Sequence, residues 1–167
     1  AGVYSDHEGH DPADAIAKLE RGQVIMIREG TAARNLEALL PLLTPKYADR
    51  CMFCCDDKHP NDLLEKGHID YNIREAIRHG VDPILAIKVA THNAARYYLL
   101  NNRGAIAPGY LADFVIIDNF QDFTIEKVYK KGVEMFDGKT VTEFTTAEID
   151  PYLAQKAHDT FHVAHLT

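Results

Sequence analysis

The chain has 167 residues, of which 46% are hydrophobic and 26% charged, a composition typical of one soluble globular domain and not of a disordered protein. Its 25 acidic and 18 basic residues leave a net charge of −7, which argues against a protein that binds nucleic-acid backbones. Because the longest apolar runs are only a few residues long, we expect no segment that spans a membrane and no membrane partner.

Helix and strand signals alternate along the first part of the chain. Asp11 and Pro12 are the cap and the first turn of a helix that we expect to run to about Arg21. Two short apolar runs, 23–28 and 50–55, have the length and composition of strands that are buried on both faces.

Further helices are predicted from apolar stripes and from helix-start signals. Leucines within 36–43 recur at helical spacing, and residues 69–80 carry a second stripe that a glycine closes. Another helix starts at Asp82, and Thr91 can cap a last one that runs to about Leu99. Helices that alternate with strands indicate a parallel sheet.

After residue 103 the pattern changes to short strands. We predict strands at 112–118, 124–130 and 132–136, with Asp137 and Gly138 in a hairpin turn. So few strands cannot close a barrel on their own. The chain is therefore predicted to be a piece of a larger α/β fold joined to a small β unit.

Three cysteines lie within five positions, Cys51, Cys54 and Cys55. An odd, clustered set is a poor disulfide framework and favours the reducing cytoplasm. A zinc site is the alternative, but one such group without a second is a weak signal. On a strand Cys51 and Cys55 share one face, so we interpret the cysteines as small core residues.

Titratable residues stand at the ends of the predicted strands, where parallel α/β folds place their active sites. His7 lies between Asp6 and Glu8 just before a helix, which indicates either a metal ligand with supporting carboxylates or a capping cluster. Asp56 and Asp57 follow the second buried run, and a bound cation would relieve their repulsion. Alternation along the strand lets only one of the two reach a site, and a solvated turn is the alternative.

Two further candidates also have a functional and a structural interpretation. Arg28 and Glu29 end the first buried run, where an ion pair can bind a polar substrate or only hold a loop. His68 lies in a break between two predicted helices, where it either lines a site or is an ordinary exposed histidine.

Several of these segments carry a family resemblance, above all the run Arg-Glu-Gly-Thr-Ala-Ala-Arg-Asn-Leu. Over roughly residues 1 to 140, in one colinear order, the chain resembles the bacterial adenine deaminases of the amidohydrolase superfamily. The segments that carry the resemblance are Ser5–Glu8, Met26–Leu36, Asp56–Pro60, Glu65–Asp70 and Gly104–Asp118.

The resemblance implies an α/β fold made of a partial (β/α)₈ TIM-like barrel, strands six to eight, followed by a small piece of a β-sandwich. Residues 1–103 would be the C-terminal part of the barrel, and 104–141 the sandwich strands. Residues 142–167 would begin a C-terminal region or form a tail. His7, Arg28 with Glu29, and Asp56 would end the sixth, seventh and eighth strands.

The resemblance also implies a reaction, the hydrolytic deamination of adenine to hypoxanthine and ammonia, with a divalent metal ion (manganese, iron or zinc) as cofactor. His7 and Asp56 would be metal ligands and catalytic residues. Glu8, Arg28 and Glu29 would bind the small-molecule purine substrate. The family's other metal ligands would precede residue 1.

Asp57 and His68 are, by the same resemblance, candidates for supporting the ligands. Two alternatives remain open. The substrate could be another cyclic amidine or amide, or the chain could be a non-catalytic module that associates with itself. Half a barrel has open strand edges and a bare apolar face, so we expect a homo-oligomer.

Overall fold

The computed structural model describes residues 2–143 and 148–160, and it contains two three-stranded sheets. The strands are β1 (Ser5–Asp6), β2 (Val24–Arg28), β3 (Cys51–Cys54), β4 (Phe114–Ile117), β5 (Ile125–Lys130) and β6 (Val133–Phe136). The helices are α1 (Pro12–Glu20), α2 (Leu36–Leu39), α3 (Pro60–Glu65), α4 (Ile69–Arg78), α5 (Pro83–Ala90), α6 (His92–Tyr97) and α7 (Pro151–Thr160). Part of the predicted C-terminal region, 142–167, lies outside the described residues.

The first sheet is parallel, with β2 between β1 and β3. The buried side chains of β2, Ile25 and Ile27, face the helices and form the core with Cys51 and Phe53 of β3. Because the three strands run in one direction, their carboxyl ends lie at one edge of the sheet. The alternation of helix and strand thus produced the predicted parallel sheet.

The first helix follows its sequence signals closely. The Asp11 carboxylate accepts a hydrogen bond of 3.1 Å from the Ala13 amide, as an N-cap residue does. The chain then turns at Gly22, whose φ of +89° is the left-handed conformation that glycine adopts without steric cost. This turn delivers the chain directly into β2.

The predicted helix over 36–43 is wrong in its second half. Only α2 is α-helical, and a 3-10 turn, Leu40–Leu42, follows it. Pro41 lacks the N–H that an α-helix would use there, so the chain tightens instead of continuing. The tighter turn brings Leu42 into the core, where it is 1% exposed.

The predicted cap of the last helix in this region is also wrong. The Thr91 hydroxyl donates 2.7 Å to the Ile87 carbonyl and makes no cap bond to α6. The helix ends at Tyr97, and Leu99 already has a positive φ of 56°. Because the hydroxyl of Thr91 binds a carbonyl of the preceding helix, it is not available to cap the helix that follows.

The second sheet is antiparallel, with β5 between β4 and β6. Lys131 and Gly132 join β5 to β6 and both have positive φ, the signature of a two-residue hairpin turn. The predicted turn at Asp137 is confirmed, since its carboxylate accepts bonds from two following amides and Phe136 bridges to Val141. No described helix has the length and apolar character that crossing a membrane requires.

Candidate active site at the strand ends

Four polar side chains meet at the carboxyl edge of the parallel sheet, and we call them the strand-end cluster: His7, Glu8, Arg28 and Asp56. His7 follows β1, Arg28 ends β2, and Asp56 follows β3. The His7 Nε2 atom lies 4.0 Å from Asp56 Oδ1 and 3.4 Å from Glu8 Oε1. The structure thus brings together an imidazole and a carboxylate that lie far apart in the sequence.

Arg28 is the centre of this cluster. Its guanidinium donates 2.8 Å to Asp56 Oδ2 and 3.1 Å to Glu8 Oε2. Burial by itself lowers the pKa of Arg28, but the hydrogen bonds that Arg28 donates to Asp56 and Glu8 outweigh this effect, and the net shift of the pKa is upward. Arg28 is therefore a permanent cation that binds two carboxylates at the same time.

Asp56 has an uncommon backbone conformation, with a positive φ of 51°. Aspartate is one of the few residue types other than glycine that adopt this left-handed region, at a cost of about 1 kcal/mol or more. Such conformations persist where surrounding contacts hold them, and here Arg28 binds the Asp56 carboxylate directly. Backbone strain of this kind is concentrated at functional sites.

Asp57 points away from the cluster, as the alternation of side chains predicts. Its Oδ2 atom accepts hydrogen bonds of 3.0 Å from the Ala32 amide and 3.2 Å from the Ala33 amide. These backbone bonds lower the pKa of Asp57. A Cβ on Gly30 would lie only 1.7 Å from Asp57 Oδ1, so the loop after β2 needs glycine there. Asp57 therefore holds the loop that follows Arg28.

Glu29 lies on the opposite side of its strand from Arg28. Its side chain is 12% exposed, with Arg34 Nε at 3.7 Å, and it lines a cleft of about 670 Å³ together with Tyr71 and Glu75. Burial raises the pKa of Glu29 more than the neighbouring cations lower it. The structure does not bring Glu29 into the strand-end cluster, and its substrate-binding role stays a prediction.

His68 also lies outside the cluster. It is exposed, directly before α4, and its backbone amide donates 2.7 Å to the Asp70 carboxylate. This position agrees with the ordinary exposed histidine that the sequence left open as one alternative. A supporting role for His68 stays a prediction.

The three cysteines are free thiols. Cys51 and Cys55 are buried on the helix side of β3, and Cys54 is half-buried on the other side. Burial raises the pKa of both Cys51 and Cys54 to about 12, so these thiols stay protonated. The prediction of buried core residues is confirmed for Cys51 and Cys55 and is wrong for Cys54, which strand alternation places on the other face.

The chemistry of the cluster fits a divalent cation. Imidazole nitrogen and carboxylate oxygen are donors for zinc, manganese and iron. Two ligands that each lie about 2.1 Å from a tetrahedral ion are roughly 3.4 Å apart, so His7 Nε2 and Asp56 Oδ1, which are 4.0 Å apart, would have to approach each other by about half an ångström to share one ion. Within residues 2–143 and 148–160, no group of three His, Cys, Asp or Glu side chains is arranged to hold a metal.

Asn35 contacts this site although the sequence analysis assigned it no role. Its buried amide bonds to the backbone of His7, Gly9 and Arg28. An asparagine directly before an apolar helix is ordinarily interpreted as a helix cap. Nothing local in the sequence distinguishes this one from a cap.

Comparisons with known proteins match most of the chain. It is 51% identical over 148 residues to an adenine deaminase of Kosmotoga olearia, which covers 89% of the chain and 25% of that relative. It is 49% identical over 137 residues to an adenine deaminase of Desulfatibacillum aliphaticivorans, covering 82% of the chain and 24% of the relative. The chain thus spans about a quarter of the length of these curated relatives.

A solved structure and a family model agree with these relatives. The β-aspartyl dipeptidase of Fervidobacterium islandicum AW-1 superposes with a TM-score of 0.64 at 26% identity, over 80% of this chain and 36% of that one. The resemblance to bacterial adenine deaminases is confirmed by the relatives that carry that name. Since the model of the amidohydrolase family matches residues 6–135, most of its length, the chain belongs to the amidohydrolase family.

Proposed function

We propose that this chain is part of a metal-dependent hydrolase that converts adenine to hypoxanthine and ammonia. The observation that carries the proposal is the meeting of His7 and Asp56, 4.0 Å apart, at the ends of separate parallel strands. The relatives named adenine deaminase support adenine as the substrate. Because the chain covers about a quarter of those relatives, the activity is proposed for the complete gene product.

The proposal includes a fold beyond the two described sheets. We infer that β1, β2 and β3 are the sixth to eighth strands of a (β/α)₈ barrel, whose active site lies at the carboxyl ends of its strands. The antiparallel strands β4 to β6 would belong to an attached β-sandwich. The parallel order of the first sheet and its polar carboxyl edge support this assignment.

Asp56 is the proposed proton carrier. A bound divalent metal makes hydroxide available near neutral pH by lowering the pKa of water. Asp56 Oδ1, the oxygen that Arg28 does not hold, accepts the proton of the water that attacks C6 of the purine. The same carboxyl then protonates the leaving amine, the C6–N bond breaks, and ammonia departs.

His7, Arg28 and Glu8 have distinct proposed tasks around this step. His7 would ligate the metal or donate a hydrogen bond to the oxygen that attacks C6. Arg28 holds Asp56 Oδ2 at 2.8 Å, which keeps the other oxygen of Asp56 directed at His7. Glu8 is 70% exposed at the outer side of the cluster, where it can accept a hydrogen bond from a ring N–H.

The free thiols fit the compartment that we propose, the reducing cytoplasm. We also propose that the protein forms a homo-oligomer. The outer edge of β1 has no strand partner within the described residues. Tyr4, which precedes β1, stacks on Tyr97, and the ring of Tyr98 packs edge-on against Tyr97; Tyr4 and Tyr98 are exposed. Unpaired strand edges flanked by apolar surface favour association.

The test is a substrate panel on the complete gene product, before and after removal of metal with a chelator. We expect ammonia release from adenine, its loss on chelation, and its return with added manganese, iron or zinc. The panel also contains other cyclic amidines and a β-aspartyl dipeptide, because a neighbouring structure is a β-aspartyl dipeptidase. Turnover of one of these and not of adenine would reject the deaminase assignment.

A further inference from the structure

Asn35 lies at the position where a side chain ordinarily caps a helix, but its side chain forms hydrogen bonds to other parts of the backbone. It directly precedes α2, is 4% exposed, and makes no cap hydrogen bond to the helix. A buried amide that gives up the cap must have its donors and acceptor satisfied elsewhere. The partners of this amide are therefore informative.

All the partners of the Asn35 side chain are backbone atoms at the strand ends. Its Oδ1 accepts a hydrogen bond of 2.6 Å from the Arg28 amide. Its Nδ2 donates 3.2 Å to the His7 carbonyl and 2.7 Å to the Gly9 carbonyl. The Asn35 backbone amide in addition donates 2.9 Å to the Arg28 carbonyl. One residue thus satisfies both backbone groups of Arg28 and two carbonyls of the segment after β1.

These bonds begin where the hydrogen bonds between β1 and β2 end. The pairing of β1 with β2 stops at the register Asp6↔Ile25, so His7 and Arg28 lie beyond the β1–β2 ladder, while Arg28 still pairs with Cys54 of β3. From that point the amide of Asn35 supplies the connection between the two strand ends. We propose that Asn35 is a positioning residue, which sets the distance between the His7 and Arg28 side chains in the strand-end cluster. This inference rests on the proposed function for its activity readout.

Only an amide of this length performs all these tasks. Aspartate has the same shape and keeps an acceptor for Arg28, but it offers no donor to the His7 and Gly9 carbonyls. A misplacement of catalytic groups by about 1 Å can cost about 100-fold in rate. The Asn35→Asp variant should therefore lower kcat by about 100-fold in the complete gene product, with little change in KM.

The chain offers a matched control in Asn93. This asparagine is 6% exposed, and its Nδ2 donates 2.8 Å to two carbonyls, those of Ala48 and Cys51. Its bonds lie at the start of β3, the opposite edge of the sheet from the cluster. We expect Asn35→Asp and Asn93→Asp to lower the Tm by similar amounts, and only Asn35→Asp to lower kcat strongly. Equal kcat in the two variants would overturn the proposal.

Hydrogen–deuterium exchange provides a readout that does not need activity. In Asn35→Ala, which removes the acceptor of the Arg28 amide, the peptide that covers residues 24–30 should exchange faster than in the wild type, and in Asn93→Ala it should not. Unchanged exchange of that peptide in Asn35→Ala would overturn the positioning role. Faster exchange in Asn35→Ala, together with a wild type that does not deaminate adenine, would reject only the deaminase assignment. Should Asn35→Asp not fold, Asn35→Ala and Asn93→Ala are compared in the same way.

Discussion

The parallel and antiparallel sheets are stabilised by different means. Among the described residues, nearly all fully buried apolar side chains pack around β1 to β3; from the antiparallel part, Phe123 joins that core and Ile117 packs against it while partly buried. No residue of β4, β5 or β6 is fully buried. Helices that cover the apolar faces of these strands fix the positions of the strand ends. The polar side chains at those ends are therefore held at defined distances from one another. The strand-end cluster belongs to that well-packed part of the molecule.

Ion pairs and rings stabilise the antiparallel sheet instead. Asp113 accepts hydrogen bonds from Lys130 at 2.6 Å and from Arg103 at 3.2 Å. The rings of Phe114 and Tyr129 stack across the two strands with centroids 4.6 Å apart. The comparison predicts that changes at the parallel sheet affect activity, and that changes at the antiparallel sheet affect stability in a pH-dependent way.

The largest expected effect is that of Asp56→Asn. The amide cannot carry the proton, so ammonia release from adenine should fall by about 1000-fold in the complete gene product, with an almost unchanged Tm. The matched control is Asp57→Asn, which weakens the bonds to Ala32 and Ala33 and should cost about 10-fold. A loss at Asp57 as large as that at Asp56 would show that the two carboxylates have been assigned the wrong way round.

Replacement of Arg28 should reduce activity more than stability. Arg28→Lys keeps the charge but loses the fork that binds Asp56 and Glu8 together, so we expect kcat/KM to fall by about 100-fold. Because both carboxylates are exposed to water, 40% and 70%, the free energy of unfolding should fall by only about 1 kcal/mol. Urea denaturation measures the free energy of unfolding, and steady-state kinetics measure kcat/KM. A wild-type kcat/KM in Arg28→Lys would show that Arg28 has no role in the proposed mechanism.

Gly30→Ala tests whether Asp57 holds the loop after β2. The new Cβ would lie 1.7 Å from Asp57 Oδ1 and 2.9 Å from the Ala33 carbonyl oxygen, so the carboxylate must leave its position. We expect a loss of about 2 kcal/mol in the free energy of unfolding, measured with urea. Gly80→Ala is the control, with space for the Cβ but a φ of +88°, and should cost about 1 kcal/mol. A smaller loss at Gly30 than at Gly80 would contradict this loop anchor.

The smallest effect is expected at Asp113, in the antiparallel sheet. Hydrogen bonds from the Lys130 side chain and the Lys131 amide lower the pKa of Asp113 from 3.8 to about 2. A carboxylate with a lowered pKa stabilises the folded protein above its unfolded pKa, and this stabilisation is lost as the pH falls towards 2. The Tm of Asp113→Asn should be below wild type at pH 7, and the difference should shrink between pH 4 and pH 2.

Glu126→Gln removes a charge from an exposed position of the same sheet and is the control for Asp113→Asn. Its Tm difference from wild type should stay small throughout that pH range. A difference between wild type and Asp113→Asn that stays constant down to pH 2 would show that the Asp113 carboxylate does not stabilise the sheet through its charge.

Much of the secondary structure follows from residues that are close in the sequence. The cap at Asp11, the buried alternation of Ile25 and Ile27 and the turn at Asp137 all depend on neighbours within a few positions. The errors arose where two local signals compete. The leucine stripe predicted helix through Pro41, and Thr91 bonded to the turn before it instead of to the helix after it.

The candidate site also has a part that local sequence predicts and a part that only the folded structure decides. Local sequence was enough to place His7, Arg28 and Asp56 at strand ends, because apolar runs stop where polar residues begin. Which polar groups meet was decided by the packed sheet: Arg28 binds an aspartate 28 positions away, and Glu29 turns to the opposite face. Asn35 shows the limit most clearly, since only the three-dimensional arrangement puts the strand-end carbonyls within reach of its amide. Hydrogen bonds act over about 3 Å, and folding sets distances that residue order leaves open.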